Sequence, residues 1–155
     1  MTAVQTSDII YLLLPVVFGM LSSFLKKRNA RKNASQYQPP GWVFGIVWPI
    51  LYIMLGISIF IQWRSANRKY DTNVCLLLTI FVLLNTWWFL FGGEHLAPTF
   101  SFIFILFTTI LIYFTTLHLY TTNNKITAYL ALPLAAWMTY ASFLTHNSNW
   151  YITLK

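Results

Sequence analysis

The sequence predicts an all-α integral membrane protein, a single bundle of five transmembrane helices. Apolar residues make up 57% of the 155-residue chain and charged ones only 8%, against about 25% charged in an ordinary soluble domain. No Asp, Glu, Lys or Arg occurs between Asp8 and Lys26, Lys32 and Arg64, Asp71 and Glu94, Glu94 and Lys125, or Lys125 and Lys155. A hydrocarbon layer about 30 Å thick takes about 20 mostly apolar residues per helix, so each stretch has room for one crossing and the chain has room for one membrane domain. The apolar runs are continuous, whereas an outer-membrane barrel alternates polarity over segments of about ten residues.

The spans follow in order. The first, 9–25, comes after a tail with Asp8 and no Lys or Arg; a secretory leader begins basic, so this span is expected to be retained. The longest connection leads from it through Lys26, Lys27, Arg28, Arg31 and Lys32 to Pro39-Pro40, and is the natural place for a lid. Spans 42–63, 74–91, 99–120 and 126–147 follow with short connections. Pro15, Pro49 and Pro133 lie inside spans one, two and five. Each removes a backbone donor, and the resulting kinks can open space between helices. Gly41 and Gly45 form a GxxxG, and Ala131, Ala135 and Ala136 crowd span five; small residues at such spacing allow helices to approach closely.

Charge and composition exclude several function classes. Asp8, Asp71 and Glu94 are the only acidic residues, and all fall at span ends or in connections, so no carboxylate pair is available inside the membrane as a proton relay or hydrolytic dyad. The net charge of +7 comes from basic clusters beside apolar spans, where lipid headgroups are nearer partners than nucleic acid. Lys and Arg number six on the side of the first and third connections and the C-terminus, and four on the other. The positive-inside rule then favours an outside N-terminus and a cytoplasmic C-terminus. Cys75 is the single cysteine, which rules out an internal disulfide and a cysteine-pair metal site; inside an apolar run it reads as a small buried hydrophobe. His95, His118 and His146 stand near span ends and read as interfacial side chains rather than haem ligands. No metal site and no catalytic nucleophile with a base is evident.

The seven tryptophans divide by depth. Trp42, Trp63 and Trp150 mark span ends, as an interfacial belt would. Trp48, Trp87, Trp88 and Trp137 lie deeper. Trp48 and Tyr52 share a face of span two, Asn85 and Trp88 a face of span three, and Trp137, Tyr140 and Leu144 a face of span five. On spacing alone the commoner arrangement is an aromatic helix interface; the other is a lining for one flat apolar ligand.

Three blocks carry a family resemblance. Pro39-Pro40, Phe44, Trp48, Leu51-Tyr52 and Gly56 are spaced as PP-x-x-x-F-x-x-x-W-x-x-L-Y-x-x-x-G. Leu84-Asn85-Thr86-Trp87-Trp88 is spaced as LN-x-x-W, and Pro133, Trp137, Ala141 and Leu144 as P-x-x-x-W-x-x-x-A-x-x-L. Together these resemble the tryptophan-rich sensory protein and translocator protein family (TspO/MBR). The resemblance implies a five-helix bundle, often a homodimer, that binds tetrapyrroles such as protoporphyrin IX or haem, and in some members sterols. Helical spacing on three spans lets Trp48, Tyr52, Asn85, Trp88, Trp137 and Tyr140 wall one pocket. Trp48, Tyr52, Asn85 and Trp137 of these fall at family motif positions, so the expected ligand is the tetrapyrrole, with no obligatory cofactor. A porphyrin is a flat apolar disc with carboxylates at one edge, which suits aromatic walls and a basic mouth. The resemblance also carries two alternatives: light-dependent porphyrin degradation, resting on Trp48 and Trp137, and assembly with partner membrane proteins without a small ligand. The chain departs from the family in its first connection, which lacks the usual WY and L-x-K-P. Phe81, Leu134 and Thr145 also replace polar or aromatic residues, so fewer polar contacts to ligand are expected. A cholesterol pattern ending at Tyr151 and Lys155 fails by one residue in its spacing from Leu144.

Overall fold

Each uncharged stretch becomes one helix. In the computed structural model these are α1 (Thr6–Leu25), α2 (Gly41–Ser65), α3 (Thr72–Phe91), α4 (Pro98–Thr121) and α5 (Lys125–Thr153). The structure describes residues 5–25, 37–66, 69, 71–91, 98–122 and 124–153, and the side chains of 5–19, 37–66, 69, 71–87, 99–122 and 124–146. No strand occurs among the described residues. The basic cluster from Lys26 to Lys32, Glu94 and His95, and the side chains of Trp88 and Trp150, lie outside them.

The helices begin earlier than the apolar runs because polar caps precede those runs. Asp8 accepts the backbone N–H of Gln5 at 3.0 Å at the start of α1, and Asp71 accepts that of Val74 at 2.9 Å at the start of α3. Both satisfy first-turn donors that have no partner within the helix. At the other end of the chain α5 continues to Thr153, beyond the expected 147, because no glycine or proline follows the apolar run to stop it.

Helices α2, α3, α4 and α5 form a four-sided ring in which each touches the next and α5 closes on α2, while α1 lies outside against α2 and α3. The contacts pair residues in opposite order along neighbours: Tyr11 meets Trp63 at 4.3 Å between ring centres, whereas Gly19 lies against the Tyr52 ring. The bundle therefore has two ends. One carries the α2–α3 and α4–α5 connections; the other carries the α1–α2 and α3–α4 connections.

Inside the ring Ile59, Leu77, Ile80, Ile105, Ile112 and Leu119 are at most 1% exposed. Outside, Phe100, Ile103, Phe107, Ile110, Phe114 and Leu117 make an apolar stripe along α4, each more than half exposed. Such a surface suits hydrocarbon rather than water. Helices α2, α4 and α5 are each long and apolar enough to cross a membrane, while α1 and α3 hold shorter apolar stretches, Thr6–Gly19 and Thr72–Trp87. Hydroxyl residues are accommodated by bonding to the carbonyl one turn back, as Thr108 does to Phe104 and Thr115 to Leu111, both at 2.8 Å, so these hydroxyl donors are satisfied within an apolar setting.

Close helix approach falls at other glycines than the GxxxG. A methyl group added at Gly56 would collide with the Leu12 carbonyl oxygen, and one at Gly19 with the Tyr52 ring. These two positions make the α1–α2 crossing, with Pro15 packed beside Gly56. Among the described residues nothing lies within 4 Å of such a methyl at Gly41 or Gly45, so these two, at the start of α2, take no part in the helix contacts seen there. Cys75 is exposed, contrary to its expected burial, because the inward face of α3 runs through Val74, Leu77, Phe81 and Leu84. Trp63, expected at the interface, is 8% exposed and packs on Tyr11; Trp42, at 68%, is free to serve there.

Candidate functional site

The end carrying the α1–α2 connection gathers the aromatic residues. On α2, Trp48 and Tyr52 stand one turn apart with ring centres 5.8 Å apart. On α5, Trp137 and Tyr140 are 5.7 Å apart. The two pairs meet where Trp137 presents an edge to Trp48 at 6.4 Å and 90°, and Phe44 completes the group against Trp137 at 5.6 Å and 72°. Edge-to-face geometry of this kind places the positive rim of one ring on the negative face of the next. Four residues expected to form a site therefore do come together, and Phe44, a motif residue left out of that set, joins them.

Asn85 is placed differently. Asn85 is 8% exposed on the inner side of α3, where its Nδ2 donates to the Phe81 carbonyl at 2.8 Å. Its Oδ1 is buried and has no hydrogen-bond partner among the described residues. Helix α3 touches α2 but not α5, so Asn85 faces the aromatic group only from the α2 side of the ring. Trp88 belongs to α3, and its side chain lies outside the described residues.

The space at this site is a groove of about 530 Å³ between α2 and α5. Val47, Ile50, Leu51 and Met54 line it from α2, and Pro133, Ala136, Trp137 and Tyr140 from α5. This falls in the usual range for a small-molecule site and is mostly apolar, as such sites are. It opens sideways, since Ile50 and Ala136 on its walls are exposed, and Trp48 and Tyr52 lie behind it, buried. Pro133, one of the three prolines within the spans, lines this groove. At the upper rim the Tyr140 hydroxyl donates to the Tyr37 carbonyl at 2.8 Å, and the Tyr37 ring lies 5.7 Å from Phe143. These contacts tie the end of the α1–α2 connection to α5. The histidines keep aromatic company: His118 stacks on Phe114 at 6.2 Å, and His146 lies 5.1 Å from Phe102.

Fold and site together define a multi-pass helical membrane protein with an aromatic cluster at one end of the bundle. The TspO/MBR family model matches residues 11–151, and the chain belongs to that family. Three proteins named tryptophan-rich protein TspO are similar to it. That of Chlorobaculum tepidum is 31% identical, over 70% of this chain and 68% of its own. That of Archaeoglobus fulgidus is 28% identical, over 70% and 69%. That of Bacillus cereus is 24% identical, over 70% of each.

Proposed function

We propose that the protein binds a tetrapyrrole, protoporphyrin IX or haem, as a membrane receptor, carrier or sensor, with sterols as a second ligand class. The observation that carries this reading is the unbroken run of ring contacts from Tyr52 through Trp48 and Trp137 to Tyr140, beside an apolar groove. A macrocycle inserted there would exchange edge contacts between indoles for stacking on its own faces. Its carboxylates would sit towards the basic stretch from Lys26 to Lys32. Asn85 Oδ1 and Trp137 Nε1, both buried without a partner among the described residues, supply one acceptor and one donor, each costly to leave unmet. Trp88 completes the set on α3.

Titration of protoporphyrin IX, followed by tryptophan quenching, tests the reading. Trp48→Ala and Trp137→Ala are expected to cost about 2 kcal/mol each, as buried aromatic anchors do, or about thirtyfold in Kd. Phenylalanine at either position restores part of the loss. Folded alanine variants that bind as tightly as the parent make these rings packing residues and refute the site. Illumination of the bound complex separates simple binding from porphyrin degradation.

In the same reading all five helices cross the bilayer, and the protein forms a homodimer. The N-terminus lies outside and the C-terminus in the cytoplasm, following the six-to-four distribution of Lys and Arg. Cysteines placed at Ser35 and Ser148 in a Cys75→Ser background are expected to label only from the cytoplasmic side. Labelling from opposite sides refutes five crossings; labelling of both from outside reverses the orientation.

A further inference from the structure

Trp137 has two surroundings at once. One side of its indole lines the sideways groove; another meets Trp48 and Phe44 within the aromatic cluster. A single side chain thus stands between the lipid-facing groove and the buried rings. It is held there by ring contacts alone: its Nε1 is buried without a hydrogen-bond partner among the described residues, so the indole can turn without breaking such a bond.

Each wall of the groove belongs to a helix that contains a proline. Pro49 interrupts the hydrogen-bond ladder of α2 beside Trp48, and Pro133 that of α5 within the groove. Proline is where membrane helices bend. The contrast with α1 is direct, since Pro15 there is buried and packed beside Gly56. Small side chains keep the groove open at Pro133 and Ala136, both exposed. On the α2 side Ile46, Ile50 and Ile53 are apolar and each more than 40% exposed. Both helices are long and apolar enough to cross a membrane, so what meets this surface is hydrocarbon and whatever is dissolved in it.

We infer that the groove between α2 and α5 is a lateral portal, through which a flat apolar ligand dissolved in the bilayer reaches the Trp48–Tyr52 cluster, with Trp137 as its movable partition. The inference rests on the binding reading above. A hydrogen-bond acceptor on the ligand, such as a carboxylate or carbonyl oxygen, meets the Trp137 N–H during passage.

Ala136→Leu fills the groove from α5, and Met54→Phe fills it from α2 if the first variant fails to fold. Protoporphyrin IX is supplied from preloaded phosphatidylcholine vesicles to protein in matching vesicles, and association and dissociation are timed by tryptophan quenching. A blocked portal slows both rates by the same factor, about tenfold for about 1.4 kcal/mol added to the opening barrier, and leaves Kd unchanged. Unchanged rates overturn the portal. A raised Kd with an unchanged association rate also overturns it, since the groove is then the resting place of the ligand. A parent protein that binds no porphyrin refutes the binding reading and the portal with it. A second readout needs no porphyrin: phosphatidylcholine brominated along its chains should quench the emission that parent protein has and Trp137→Phe lacks, and should do so less in Ala136→Leu. Absence of that quenching overturns the portal while leaving the binding reading intact.

Discussion

The seam between α2 and α5 is held by different physics at the two ends of the bundle. At the end with the α2–α3 and α4–α5 connections, Gln62 is 1% exposed and joins three helices. Its Nε2 donates to Thr127 Oγ1 of α5 at 2.8 Å, and its Oε1 accepts from Asn73 Nδ2 of α3 at 3.1 Å. Around it Trp63 packs on Tyr11, and Asp8, Val74, Leu119 and Thr127 are at most 1% exposed. At the opposite end of that seam Trp48 and Phe44 of α2 meet Trp137 of α5 edge to face, and a groove of about 530 Å³ opens. Directional bonds in an apolar medium specify one arrangement; ring contacts admit several of similar energy. Under the proposed function the first end of the seam is scaffold and the second is where ligand enters.

The comparison breaks most severely at the α1–α2 crossing, which supports both ends. Gly56→Leu drives a side chain into the Leu12 backbone carbonyl, and a helix cannot yield there as a flexible side chain would. The expected outcome is loss of the folded bundle, read as aggregation or disappearance of a thermal transition in detergent. A variant that melts like the parent would show that α1 can be displaced at little cost.

Next in size is the separation of stability from binding. Gln62→Leu removes both interhelical bonds and leaves Thr127 and Asn73 to find other partners. Each such bond is worth about 0.6 to 2 kcal/mol in a membrane setting, so the melting temperature should drop by several degrees while porphyrin affinity holds. Trp48→Ala and Trp137→Ala are expected to do the reverse, with the larger effect on affinity. If Gln62→Leu weakens porphyrin binding as much as Trp137→Ala does, the ends are coupled and their division into scaffold and site fails.

The smallest effect belongs to Gly45→Leu. Among the described residues nothing surrounds that position, so the melting temperature should stay put. A fall in crosslinked dimer in bilayers, with stability unchanged, would place α2's first turn between two copies. An unchanged dimer removes the GxxxG from any interface.

Much of this architecture was legible in residue order. Charge-free stretches of helix length marked all five helices, because a long uncharged apolar segment has little choice but to satisfy its backbone internally. Periodicity put Trp48 with Tyr52 and Trp137 with Tyr140, since neighbours on one helix follow from 3.6 residues per turn. Motif spacing identified the family, whereas the caps at Asp8 and Asp71, which start α1 and α3 ahead of their apolar runs, emerged only in the structure.

What periodicity could not supply is the partner of each face. Gly41-Gly45 and the pair Gly19 and Gly56 are all small, yet only the second pair meets another helix, because which sides of α1 and α2 face one another depends on how the whole ring closes. For the same reason Cys75 lies outward and Trp63 inward, against expectation from their neighbours in sequence. Gln62 carried a readable signal, an uncharged polar side chain in an otherwise apolar turn, but its bonds to Asn73 and Thr127 exist only after three helices converge. The groove at Trp137 is likewise a property of α2 and α5 together, helices separated in the chain by two others. Residue order determined which segments become helices and which rings share a helix face; tertiary packing alone decided which faces meet, because contact between helices depends on rotation and crossing angle, and no single helix encodes either by itself.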